Sequence, residues 1–276
     1  MAMVDVLIPT CDRLTALAVT LTGLIAQTCK DFRIVVSDQT EVFNPLEAGE
    51  VQAVLRVLRS HGHEITLHRH LPRRGIAEQR QFLLDQATAP YAIFLDDDVI
   101  LEATVIEEML ATIRLEGCGF VGSALHGLSF QQDVRPNEQA IDWWQGRVQP
   151  EDVRPDTPAW ERWRLHNAAN LYHVQQTLDL ADGHPKTYKV AWIGGCVMYD
   201  TAKLRHIGGF KFWRDLPLNH CGEDVLVQGH LMAQYGGCGL IPSGAYHQEL
   251  ETTIPNRDVA ANNVIDRSID RPLQKQ

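Results

Sequence analysis

Three consecutive carboxylates close a short apolar run, Tyr91-Ala92-Ile93-Phe94-Leu95-Asp96-Asp97-Asp98. The run before them is apolar and aromatic and follows Pro90, which predicts a buried strand. If extended backbone persists past Leu95, Asp96 and Asp98 project to the same side. Two carboxylates so placed make a hard oxygen site that suits Mg²⁺ or Mn²⁺. Three clustered acids repel one another, and a divalent cation that also holds a diphosphate would relieve them. An acidic turn facing solvent is the plainer alternative. A second acid, Asp38, ends another apolar run (residues 32–36) in the same way.

The elements that must position these acids follow from periodicity. Strands are expected over residues 4–8, 32–36, 65–68 and 91–95. Helices are expected over 14–27, 45–59, 75–86 and 103–114. This βαβαβαβ order predicts an α/β fold: a mainly parallel, twisted, Rossmann-like sheet with helices on both faces. Ligands of such sheets gather at the carboxyl ends of the strands, where Asp38 and Asp96 to Asp98 both fall.

From about residue 126 to 189 the pattern breaks into a segment rich in Pro, Trp, Arg and Asp, with Trp143, Trp144, Trp160 and Trp163. Structure then resumes: a strand over 190–199 interrupted by Gly194-Gly195, a short helix over 201–207, and a helix opened by Gly222-Glu223-Asp224 and running to about Tyr235. A last strand is expected over 238–241. The tail from about Pro255 is polar, has no clear core face, and reads as loosely ordered.

At 276 residues with 45% hydrophobic content, the chain can bury a sizeable core in one large domain or two small ones. Its net charge of −10 and the absence of a basic stripe argue against a nucleic-acid polymer as partner. A small anionic ligand remains open if local Arg and a metal ion receive it. No basic region followed by an apolar core opens the chain, and the apolar stretch at 14–26 is short and carries Thr15, Thr20 and Thr22. Six widely spaced Cys without a C-x-x-C suggest reduced thiols and a cytoplasmic setting. His61, His63, His68 and His70 lack accompanying acids or Cys and read as a polar strand edge.

In order along the chain stand Val4-Asp5-Val6-Leu7-Ile8-Pro9-Thr10-Cys11-Asp12-Arg13, Asp38, Arg74-Gly75 with Arg80, Leu95-Asp96-Asp97-Asp98, and Gly222-Glu223-Asp224. Together they resemble glycosyltransferase family 2, over roughly residues 4–125 and 190–250. The resemblance implies a GT-A fold and transfer of a sugar from a nucleotide diphosphate donor (a UDP-, GDP- or dTDP-sugar) to a hydroxyl acceptor. Asp96, Asp97 and Asp98 match the family's D-x-D, which implies donor binding through Mn²⁺ or Mg²⁺. Asp98 is the expected direct ligand and Asp96 a ribose or metal contact.

The same resemblance implies donor contacts for Pro9, Thr10 and Arg13. It implies a nucleobase contact for Asp38, although Ser37-Asp38-Gln39-Thr40 departs from the family's Asp-Asp-Gly-Ser. Gly75 and Arg80 are all that survive of a Gly followed by Ala-Arg-Asn. Helix N-termini and guanidinium groups favour phosphate, while Arg73 and Arg74 read as solvated.

Glu223-Asp224 matches the family's E-D, which implies Asp224 as general base. An inverting transfer needs one carboxylate to take the acceptor's proton. His247, after the last strand, is the expected third metal ligand alongside Asp96 and Asp98, and a structural His is the alternative. Trp192, Gly194 and Gly195 resemble the family's acceptor-side strand. The four Trp of the 126–189 segment either stack on acceptor sugars or form a satellite core.

The expected layout is thus a nucleotide-sugar-binding half (1–125), an insert that meets the acceptor (126–189), an acceptor and catalytic-base half (190–250) and a tail (251–276). Rival readings are a retaining GT-A transferase, a sugar nucleotidyltransferase and a catalytically idle sugar-nucleotide-binding protein. The nucleotidyltransferase is disfavoured by the absence of a Gly-rich loop at Pro9 to Arg13. Peripheral membrane association stays open, because lipid-linked acceptors are common in the family.

Overall fold

The computed structural model describes residues 2–179, 185–254 and 257–265. Its frame is an eight-stranded sheet in the order β3-β2-β1-β4-β8-β6-β9-β7. The strands of this sheet are β1 (Val4–Thr10), β2 (Phe32–Asp38), β3 (Ile65–Arg69), β4 (Tyr91–Leu95), β6 (Phe120–Gly122), β7 (Lys186–Tyr188), β8 (Cys196–Asp200) and β9 (Gly237–Ile241). Two further short strands, β5 (Val99–Leu101) and β10 (Ala245–His247), pair antiparallel beside it. The helices are α1 (Leu14–Ile25), α2 (Gly49–Ser60), α3 (Ile76–Gln86), α4 (Val105–Glu116), α5 (Asn170–Thr177), α6 (Thr201–His206), α7 (Glu223–Tyr235) and α8 (Ala261–Val264).

The sheet has two characters. β3, β2, β1 and β4 run parallel. β8 then runs antiparallel to both β4 and β6, and β7 antiparallel to β9, so the sheet is mixed. Every residue of β1 is buried, as expected of a central strand covered on both faces. One of them is charged: Asp5 is fully buried and is held by Arg33 Nε at 2.8 Å and by the backbone N–H groups of Thr88 and Ala89. Two apolar clusters line the two faces. One gathers α1, α2 and α4, the other α3, α7 and the insert.

Several boundaries depart from the sequence reading. The helix expected over 45–59 splits into a 3₁₀ turn, Pro45–Glu47, and α2. The strand expected over 190–199 begins only at Cys196. Before it, Gly195 has φ +79°, and a Cβ there would lie 2.3 Å from Leu125 Cδ1, so the chain turns where a strand would continue. Extended backbone does not persist past Leu95 either: Asp97 and Asp98 form a turn before β5. The histidine edge is partly aromatic packing, with His63 stacked on Phe32 and His70 stacked on Phe82.

The tail is the largest correction. Cys221 N–H donates to Val259 C=O at 3.0 Å and Ala261 N–H donates to Cys221 C=O at 2.8 Å, which docks residues 259–261 beside the start of α7. Residues 255, 256 and 266–276 lie outside the described part. Among the described residues no helix is long and apolar enough to cross a membrane.

Candidate active site

The carboxyl ends of β1 and β4, the start of α3, the start of α7 and the docked tail enclose a cleft of about 550 Å³. Pro9, Thr10, Arg13, Gly75, Arg80, Asp96, Asp97, Asp98, Trp192, Glu223, Asp224 and His247 all line it. Residues more than two hundred positions apart meet there because β10 pairs with β5, setting His247 opposite Val99, the residue after Asp98.

The three acids after β4 have three environments. Asp97 is buried and accepts a hydrogen bond from Thr10 Oγ1. Burial pushes its pKa up to about 7 against that hydrogen bond. Asp98 pairs with the Arg13 guanidinium and stands 3.3 Å from His247 Nε2. Burial alone would raise Asp98, but the hydrogen bonds from His247 and Arg13 prevail and hold it below the usual carboxylate range. The same Asp98 contact raises His247. Asp96 is the most open of the three and is met by Arg80 Nη2 at 3.0 Å. Burial of its carboxyl group raises its pKa, with Arg80 opposing and the charges of Asp98 and Asp224 adding to the rise.

Arg80 links the two halves of the cleft. Its Nε lies 3.0 Å from Glu223 Oε1 while Nη2 holds Asp96. The Glu223 approach is an ion pair without an aligned hydrogen bond, since Nε has no hydrogen-bond partner. Burial would lower the Arg80 pKa, but Asp96, Glu223 and Asp224 outweigh it and raise it. Gly222, with φ +73°, turns the chain into α7 and aims Glu223 and Asp224 at the cleft. Asp224 is pushed up to about 6 by burial and by Glu223, against Arg80. A Cβ on Gly194 would stand 3.6 Å from Asp224 Oδ2 and 3.8 Å from Trp192, ordinary contact distances, so Gly194 packs beside this carboxylate. Neither Gly194 nor Gly195 lines the cleft itself. Gly195 acts from behind, its carbonyl accepting from Asp96 N–H at 2.8 Å.

Asp38 does not reach the cleft. It is fully buried, with Oδ1 accepting from Thr40 N–H and Oγ1 and Oδ2 paired with Arg69. Residues that sequence reasoning did not assign fill that end instead: Cys11, Gln39 and Arg73. The Cys11 thiol is pushed up to about 11 by burial and stays protonated. Trp160 from the insert and residues 252–254, Arg257, Ala260 and Asn262 from the tail complete the wall. No apolar periodicity marks that tail, and its docking rests on backbone hydrogen bonds to Cys221, which leave no trace in residue type.

Five carboxylates therefore share one cleft with four arginines, of which Arg13 and Arg80 pair with them directly, and most of the acids are held above their ordinary pKa. That surplus fits a divalent cation. Asp98 and His247 are adjacent oxygen and nitrogen donors of the kind Mn²⁺ accepts. Among the described residues no three His, Cys, Asp or Glu side chains converge into a ready-made cage. Oxygens of a diphosphate would complete the coordination.

A sheet with a parallel first half, an acidic turn beyond β4 and a buried acid at the start of α7 is the arrangement of the GT-A fold. Residues 5–166 match the model of "Glycosyl transferase family 2", and the chain belongs to that family. Among solved structures, Staphylococcus aureus TarS 1–349 in complex with UDP-GlcNAc is similar at a TM-score of 0.54 and 15% identity, covering 92% of this chain and 60% of that one. The mannosyltransferase PcManGT from Pyrobaculum calidifontis, in complex with GDP-Man and Mn²⁺, gives 0.51 and 17%, covering 86% of this chain and 56% of that one. The chain thus spans under two thirds of the length of these structures. No curated protein matches it.

Proposed function

We propose that this chain is an inverting glycosyltransferase that moves a sugar from a nucleoside diphosphate donor to a hydroxyl acceptor, with Mn²⁺ or Mg²⁺ held by Asp98 and His247 and by Asp96 when it leaves Arg80. The observation that carries this reading is Asp224: a half-buried carboxylate with a pKa of about 6, lining the same cleft as the acidic turn. A base of that pKa is ionised at neutral pH yet still takes up a proton readily.

Asp224 accepts the proton of the acceptor hydroxyl as that oxygen attacks the anomeric carbon. The bond from the anomeric carbon to the phosphate oxygen breaks, and the nucleoside diphosphate departs with the electron pair. The cation, when bound, stabilises the negative charge on that leaving group. Before donor binds, Arg80 pairs with Asp96 on the donor side and with Glu223 beside the base, which ties the two sides of the cleft together. Trp192 and Trp160 supply apolar faces on which an acceptor ring can stack. UDP-GlcNAc and GDP-Man, the ligands of the two related structures, are the donors to try first.

The test is incubation with UDP-GlcNAc, GDP-Man and dTDP-glucose, each with Mn²⁺ or with EDTA, against a panel of glycan and lipid-linked acceptors. The expected result is nucleoside diphosphate release with one donor, abolished by EDTA, and a product whose anomeric configuration by NMR is inverted. Retention of configuration, or undiminished turnover in EDTA, would overturn the mechanism.

A further inference from the structure

We infer that Arg73, not Asp38, is the charged side chain that reads the nucleobase, so that the site selects a base presenting hydrogen-bond acceptors. This rests on the donor being a nucleoside diphosphate, as proposed above.

β2 and β3 set Asp38 directly opposite Arg69. The Arg69 guanidinium closes on Asp38 Oδ2 and also donates to Phe43 C=O, while Thr40 takes Oδ1 through two hydrogen bonds. With no exposed surface, Oδ1 bonded twice by Thr40 and Oδ2 turned to Arg69, Asp38 does not face the cleft. Arg73 is the opposite case. It lines the cleft beside Cys11 and Gln39, is partly exposed, and makes no ion pair among the described residues.

Position separates this end from the diphosphate end. The acidic turn follows β4, whereas Arg73 follows β3. In the order β3-β2-β1-β4 the two strands stand three spacings, about 14 Å, apart. A diphosphate anchored at Asp96 to Asp98 therefore directs its nucleoside across β1 toward Cys11, Gln39 and Arg73.

A guanidinium only donates hydrogen bonds. Its fork matches the adjacent O6 and N7 acceptors of guanine and the adjacent N3 and O2 acceptors of an unpaired cytosine, it can donate singly to a uracil carbonyl, and adenine offers it only isolated ring nitrogens. The site should thus rank GDP and CDP ahead of UDP, and ADP last.

Isothermal titration of the full chain with GDP, UDP, ADP, CDP and inorganic pyrophosphate, in Mn²⁺, tests this with wild type, Arg73→Ala, Arg73→Lys and Asp38→Asn. Arg73→Ala is expected to weaken the preferred nucleotide about tenfold and flatten the ranking, leaving pyrophosphate binding unchanged. Arg73→Lys should recover only part of the loss, because an ammonium lacks the fork. Asp38→Asn should lower the unfolding midpoint yet bind the same nucleotide within about twofold. If it does not fold, the two Arg73 variants decide.

An Arg73→Ala protein that binds as wild type overturns the inference alone. Equal weakening of all four nucleotides and of pyrophosphate overturns it too, by making Arg73 a phosphate ligand. Wild type that binds no nucleotide removes the donor reading and this inference together.

Discussion

Asp224 concentrates the chemistry in one carboxyl group whose environment sets the working pH. Burial and the neighbouring Glu223 lift it to about 6 against Arg80. A general base must be ionised, so kcat/KM should rise as pH increases through about 6 and level off above about 7, measured with saturating Mn²⁺. Asp224→Asn keeps the size and the hydrogen bond to Val225 N–H but cannot accept a proton. Its kcat should fall by about 10²–10⁴-fold while the donor Kd, read by titration, stays within about twofold. Near-normal turnover would remove Asp224 from the base role. The acids at this level were legible as types in sequence: the Asp96 to Asp98 turn and Glu223-Asp224 all line the cleft. What was not legible was their pairing. Whether Asp38 faces a ligand or Arg69 depends on the β2–β3 register, and a one-residue slip would have turned Arg69 to the other face.

Strands and helices with a clear period were read within a few residues, because burying one face fixes the period of two or of 3.6. β4 emerged as expected, and α3, α6 and α7 within one residue of expectation. The failures share a cause: backbone geometry that residue type does not encode. Gly195 turns because Leu125 occupies the space a side chain would need, a contact across seventy residues. The tail docks through backbone groups of Val259 and Ala261 on Cys221. That docking is testable as an element. Ala261→Pro replaces the N–H that donates to Cys221 C=O with a ring methylene, which should cost about 1–3 kcal/mol in unfolding free energy by denaturant titration. Because the tail forms part of the cleft wall and Arg13 donates to Glu251 C=O, the same variant should raise the KM for donor several-fold, with kcat less affected. Unchanged kinetics in a variant with the expected stability loss would make the tail a packing element without a part in substrate binding.

For the whole molecule, the acid surplus of the cleft sets activity against stability. Asp97 has a native pKa of about 7, and an unfolded Asp titrates near its ordinary value of 3.8. Between those values the native protein keeps a proton that the unfolded chain has lost. The unfolded state then binds fewer protons, so stability falls as pH rises through that window and the loss is complete above about 7. Three pKa units correspond to a ceiling of about 4 kcal/mol for this one group. Asp97→Asn removes the titration and retains an oxygen to accept from Thr10 Oγ1. The variant and wild type should therefore unfold at similar midpoints near pH 4 and diverge as pH rises, with the variant more stable by several degrees at pH 8 in the absence of metal, at roughly 2–4 °C per kcal/mol. A divalent cation at Asp98 and His247 would favour the ionised form of Asp97 beside it and stabilise the native state by binding. Adding Mn²⁺ should thus raise the wild-type midpoint and narrow the gap to the variant at pH 8. A gap that does not change with pH would mean that Arg13, 3.6 Å from Asp97 Oδ1, already compensates its charge in the native protein, and that the cleft does not need a cation to hold its acids together.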